Sequence, residues 1–370
     1  MNFRLYGTII IIAIGIICFS AGVFSACNSQ GNNLSNTDQI RFDLKKTILI
    51  TESDDDDAYM FTDVKHINLN SKNNIYLIDD LRVAKYDNTG KYLCTIGGKG
   101  QGPGEYISPK YLFIDDNNSL FILDSGRSII SYNLNGIFIK KIQLEFGIVG
   151  NFFVDELGNI YGISRQYTNE GVIKSLCKFS DQGKIISTYA KHQEIDVNVK
   201  SSGGGGVLSG IKHPHSADAF FFPILGKVLC FGVNLYYDFK LFDLDGNIQL
   251  EFGRKLKSLS ISKTIKEYKK RFGDSTIRRF IFPNTTPFYS GILADDKGYI
   301  YVLRTKSILA KDKKVALDIF SSDGNFIGTT QLSNMPSVIR ENAMYVIDKD
   351  ELGRSSIQKW IIVNSDFQYK

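Results

Sequence analysis

Residues 75–90 read IYLIDDLRVAKYDNTG, and residues 120–136 repeat the pattern as LFILDSGRSIISYNLNG. Each copy opens on a short apolar run ending in Asp, passes through a second apolar stretch to an aromatic, and turns on a Gly four residues later. Four further runs align with these: IYGIS from Ile160, VLCFG from Val228, IYVLR from Ile300 and MYVID from Met344. The second position is Tyr76, Phe121, Tyr161, Leu229, Tyr301 and Tyr345, aromatic in five of six. The later aromatic is Tyr86, Tyr132, Phe179, Phe242, Phe320 and Trp360, followed in the first five units by Gly90, Gly136, Gly183, Gly246 and Gly324. The intervening residues, DNT or NLN for example, are hairpin chemistry, with Gly supplying the positive φ.

A third strand-like stretch follows each Gly, as in KYLCTIG, and another precedes each aligned run, as in YLFIDDNNS. Each unit therefore has four antiparallel strands. Unit starts are separated by 45, 40, 68, 72 and 44 residues. Repetition on that scale predicts an all-β fold, a single six-bladed β-propeller over residues 39–370. The sixth unit lacks its Gly, so the early stretch QIRFDLKKTILI (39–50) is expected to complete the last blade and close the ring. With 26 Phe and 19 Tyr against one Trp, the composition suits pleated packing.

The first 26 residues read differently. A positive start at Arg4 precedes an apolar stretch from Ile9 to Phe19, the pattern of a signal peptide and too short to span a bilayer. Phe24-Ser25-Ala26-Cys27 resembles a bacterial lipobox, which implies lipidation of Cys27 and removal of residues 1–26. Residues 27–38 are then the lipidated Cys and a polar tether, and the membrane is the first expected partner. Cys94, Cys177 and Cys230 remain, an odd number within strand-like runs, and are expected as buried free thiols.

GKGQGPGEY (98–106), Pro109 and residues 114–142 resemble the NHL-type propeller repeat. The chain as a whole is similar to NHL-like or TolB-like six-bladed propeller lipoproteins of Gram-negative anaerobes. That resemblance implies the fold and an envelope location, and no settled activity. Asn28 after the acylated Cys, with no acidic run following it, implies an outer-membrane anchor facing the periplasm.

In such a ring the short Asp/Asn/Gly turns lie on one face. The connections between blades share the other face with each blade's middle loop. The insertions 191–227 and 254–288 both fall there, which makes it the expected binding face. Arg82, Arg127, Arg165 and Arg304 stand at the middle loops, either as a cationic ring for a carboxylated glycan or peptide or in local pairs such as Asp79–Arg82 and Asp124–Arg127. Tyr236, Tyr237, His213 and His215 complete the candidate ligand-binding set. No metal is assigned, since no Cys or Glu accompanies His213-Pro214-His215 at ligand spacing, and the Asp54–Asp57 run reads as solvated. GGKGQGPG (97–104) lacks the Lys-Ser/Thr and the helix of a phosphate loop and reads as a tight turn, and no cofactor is expected.

Net charge is +5, but residues 254–279 alone hold ten Lys/Arg against Glu267 and Asp274. The rest is net acidic, so no nucleic-acid partner is expected. Ser258 to Phe272 should contain a helix, with Ile261, Ile265, Tyr268 and Phe272 on one stripe. The four scattered acids Asp63, Asp115, Asp155 and Asp295 are expected to cap turns. With no G-x-S-x-G and no H-E-x-x-H, the expected function is a non-catalytic module binding a glycan, peptide or envelope protein complex through its loop-rich face. The alternatives are a metal-dependent propeller hydrolase or lyase acting in the central channel and a scaffold in an outer-membrane complex.

Overall fold

The computed structural model describes residues 39–51, 60–168, 171–194, 198–202, 205–209, 211–212, 217–258, 260–273, 280–281, 285–305 and 314–365. Among these residues are six four-stranded antiparallel sheets, arranged as a six-bladed β-propeller. The inner strands are Val64–Leu69, Pro109–Ile114, Ile148–Val154, Ala219–Ile224, Tyr289–Ala294 and Pro336–Arg340. Each touches the next around the ring, and the last touches the first. Phe42–Thr51 pairs antiparallel with Ser355–Ser365, so the early strand is the outer strand of blade six, as the missing sixth Gly predicts. Phe42–Thr51 covers an edge that would otherwise expose unpaired backbone groups.

The aligned runs form the second strand of each blade, and their continuous hydrophobicity has a direct cause. Every residue of Ile75–Asp79 is buried, because a second strand packs against blades on both sides. Ile75 belongs to the core between blades six and one, while Tyr76 and Ile78 belong to the core between blades one and two. Six such cores, one per blade interface, hold the ring.

The first residue of each run pairs across strands with the later aromatic: Ile75 with Tyr86, Leu120 with Tyr132, Ile160 with Phe179, Ile300 with Phe320, Met344 with Trp360. In blade four the partner of Phe242 is Leu229, not Val228. The fourth run therefore starts one residue later than its sequence alignment suggests, and Cys230 takes the aromatic's place, facing blade five. Pairing across the sheet fixes this register, because a one-residue slip would exchange the two faces of the strand.

The repeated glycines do more than turn. Gly90 has φ +91° and Gly183 φ +81°; a Cβ on either would lie 2.0 Å from the Leu49 carbonyl oxygen and 2.2 Å from that of Gln143, in the outer strand of the preceding blade. Blade six has no such Gly, since its outer strand comes from the other end of the chain. Cys177 and Cys230 are buried free thiols as expected, whereas Cys94 is only half-buried.

Candidate functional site

Antiparallel order places the inner-to-second and third-to-outer turns at one face, and the middle loops and blade connections at the other. On that second face blade three stands tallest, with strands Ile160–Thr168, Gly171–Phe179 and Ile185–Glu194. Beside it Asn198–Ser202 and Gly205–Ser209 form a hairpin, and Ile211–Lys212 pairs in parallel with Phe280–Ile281. The two long insertions thus meet and build one side of the rim. The basic helix spans Ile261–Phe272, starting three residues inside the expected stretch, with Ser260 as N-cap and Gly273 closing its C-terminus.

A cavity of about 570 Å³ occupies the central channel, and all six blades contribute to its wall. Tyr111, Phe220 and Phe222 give it aromatic surface; Lys65, Asn151, Arg165 and Ser337 give it polar groups. Inside blade three, Arg165 pairs across the strands with Lys174, and Lys174 with His192, so the three share one face of the sheet. Lys174 is 1% exposed and forms an ion pair with Asp218 of blade four, the partner a buried ammonium requires. Arg165 donates from one terminal nitrogen to the Tyr167 hydroxyl at 3.3 Å, and its buried Nε has no hydrogen-bond partner among the described residues. The same is true of His66 Nδ1, while the His66 ring stands edge-on to Tyr111 at 5.3 Å. Burial pushes the His66 imidazole down to about 4, so it is neutral at physiological pH.

Of the four arginines read as a possible ring, the channel wall contains Arg165 and none of the others. Arg82 pairs with Asp79 at 3.0 Å and donates to the Met60 carbonyl, as the local-pair reading has it. Arg127 is exposed and makes no ion pair with Asp124. Asp124 instead accepts the backbone N–H groups of Ile107 (3.0 Å) and Ser108 (2.6 Å), with Lys141 4.0 Å from its other oxygen. Asp79 does the same for Thr62 and Asp63, so the Asp ending each of these runs clasps the loop that enters its own blade.

Arg304 belongs to a different structure. It reaches the fully buried Asp318 at 3.1 Å, together with Arg254 at 3.6 Å, the Tyr237 hydroxyl and Thr329 Oγ1 at 2.6 Å. Burial and the adjacent Asp318 carboxylate hold the Tyr237 phenol far above its usual range, and the ring lies in the core between blades four and five. Tyr237 is thus a core residue and not a ligand-facing one, whereas Tyr236 is exposed. His213, His215 and Asp54–Asp57 lie outside the described residues. Among the described residues no three His, Cys, Asp or Glu stand together as metal ligands.

Asp115, Asp155 and Asp295 cap turns through backbone N–H groups, as expected, but Asp63 joins Lys349 of blade six at 2.8 Å. The Gly-rich stretch 97–104 is a turn braced by Glu105, which accepts the Gly102 N–H at 2.7 Å, and by the Tyr132 hydroxyl donating to the Gly104 carbonyl.

Sequence reasoning missed the channel's own polar residues. Lys65, His66, Asn151, Lys174 and Asp218 sit in no motif. The first three are polar residues within inner strands, Lys174 is on the third strand of blade three and Asp218 stands just before an inner strand, so their meeting is readable only once the strands are placed.

Comparisons with known proteins follow the same outline. Residues 54–207 match the sequence profile of a family described as Domain of unknown function (DUF4934). No curated protein matches the chain by sequence. A solved structure from Bacteroides fragilis NCTC 9343, of a protein predicted to be exported, is 13% identical with a TM-score of 0.57, covering 90% of this chain and 98% of that one. Another, a member of the DUF4221 family from Bacteroides vulgatus ATCC 8482, is 10% identical with a TM-score of 0.55, covering 90% and 100%. At 13% and 10% identity the likeness is one of fold alone.

Proposed function

We propose that this chain is a lipid-anchored cell-envelope module that binds its ligand in the central channel, entered from the loop-rich face. The observation that carries the reading is the channel itself. It is walled by all six blades, and at about 570 Å³ it falls within the range of ordinary ligand pockets. Of its polar groups, Asn151, Arg165 and Lys174 of blade three and Asp218 stand at the first long insertion, while Lys65, His66 and Ser337 belong to blades one and six. The signal-like residues 1–26 and Cys27 supply the anchor, and the likeness to a Bacteroides protein predicted to be exported agrees with an envelope location.

Gly291 lies in the wall, and the nearest atoms to a Cβ there would be side-chain atoms of Met335 at 3.6 Å and of Leu303 at 3.7 Å. Gly291→Tyr starts from ordinary van der Waals contact at its Cβ and is expected to narrow the channel. Ligands found by thermal-shift screening of envelope glycans and peptides should be lost in Gly291→Tyr at unchanged melting temperature. A ligand held equally by both proteins removes the channel from consideration. Radiolabelled palmitate should enter the wild type and not Cys27→Ser.

A further inference from the structure

The inner strands share an irregularity at the channel mouth. In blade one the ladder passes from Val64 to His66, skipping Lys65; in blade two it skips Lys110, and in blade five Ser290. Blade six skips Ser337, and blade three skips Gly150 and Asn151 together. Among the described strands, blade four alone runs without a shift. Each shift falls near the start of its inner strand, on the loop-rich face. Bulges of this kind re-aim side chains and interrupt pairing. The skipped residues other than Gly150 are all polar, and Lys65, Asn151 and Ser337 line the cavity.

Two consequences bear on the ligand. An extended peptide added to a sheet edge needs an uninterrupted ladder of backbone groups, and five of the six inner edges are broken where a ligand enters. The mouth offers instead a mixture of hydroxyl, amide and neutral imidazole groups, which donate and accept and so match hydroxyl groups on a ligand. The charges in the wall are unequal: Lys65 is engaged by Asp80 at 2.7 Å and Lys174 by Asp218, while Arg165 makes no ion pair among the described residues. Arg165 keeps a buried Nε without a partner, and its planar fork suits a carboxylate.

Resting on the channel reading above, we infer that the ligand is an acidic saccharide, its carboxylate held by Arg165. Its hydroxyl groups meet the bulge residues Asn151 and Ser337 and the His66 ring. Tyr111 and Phe220 offer apolar faces to the sugar ring.

The test uses the full mature chain and calorimetric titration with trimers of galacturonic, glucuronic and mannuronic acid, with galactotriose as neutral control and a trimer of aspartate as peptide control. At least one uronic acid trimer should bind, weaken at least tenfold in Arg165→Gln, recover in part in Arg165→Lys, weaken with added salt, and vanish in Gly291→Tyr. Failure of all three acidic trimers to bind overturns the inference, as does equal affinity for galactotriose or unchanged affinity in Arg165→Gln. If galactotriose or the aspartate peptide binds and is lost in Gly291→Tyr, the ligand class is wrong while the channel reading stands.

Discussion

The Lys46 ammonium sits 4.0 Å above the ring centroid of Trp360, its cross-strand partner, joining the first described strand to the last. Trp360 is 1% exposed and packs in the core between blades five and six. The ring is closed by side-chain packing at this seam as well as by backbone pairing. Trp360→Ala should cost about 3–5 kcal/mol of unfolding free energy, and Lys46→Gln at most about 1 kcal/mol, read from urea denaturation. Removing residues 39–51 bares the edge of blade six, and size-exclusion chromatography should show self-association.

Asp318 is the polar centre of the interface between blades four and five, with two arginines, a tyrosine and a threonine around it. Asp318→Ala takes the counter-ion from the half-buried Arg254 and Arg304 and the acceptor from the buried Tyr237 hydroxyl, and should destabilise by about 3 kcal/mol. Thr329→Val removes one hydrogen bond and should cost about 1 kcal/mol. Equal effects from the two would show that the carboxylate is not the centre.

Gly90 and Gly353 share a positive φ, +91° and +83°, but only Gly90 faces a neighbouring backbone, since nothing lies within 4 Å of a Cβ at Gly353. Gly353→Ala should cost about 1 kcal/mol from backbone strain alone. Gly90→Ala should cost clearly more and should weaken the seam with Phe42–Thr51. Comparable melting temperatures would refute the close-packing role.

His66 gives the fold a pH dependence. Its imidazole ionises near pH 4 when folded, against about 6.5 when unfolded. As pH falls from about 6.5 to about 4 the unfolded chain takes up a proton that the folded chain does not, and stability falls across that window. His66→Gln should flatten the decline, measured as the urea midpoint at pH 7 and at pH 4.5. An identical slope in both proteins would place the pH dependence elsewhere.

Asp124 and Arg127, three residues apart in the repeat, should separate in a stability assay. Asp124→Ala removes the acceptor of the partly buried N–H groups of Ile107 and Ser108 and should cost about 1–2 kcal/mol. Arg127→Ala should stay within about 0.5 kcal/mol of wild type.

The blade pattern was legible because every blade repeats the same physical demand. A second strand buried on both faces must be apolar throughout, its hairpin must turn on Gly, and a ring must close. Hence IYLID, Gly90 and the spare strand at residues 39–50 announce the propeller. The sequence left the register of blade four ambiguous, since Val228 and Leu229 are both apolar and only pairing with Phe242 separates them.

The candidate site behaves differently. Arg165 stood out from the chain as one of four similar arginines, and nothing local set it apart from Arg82, bound to Asp79, or Arg304, bound to Asp318. Composition and periodicity determined how many sheets there are and how they are built, because burial acts on each strand through its own residues. The contents of the channel were decided by tertiary structure. Six inner strands far apart in sequence meet at one axis, and bulges invisible to periodicity choose which polar side chains lie at its mouth.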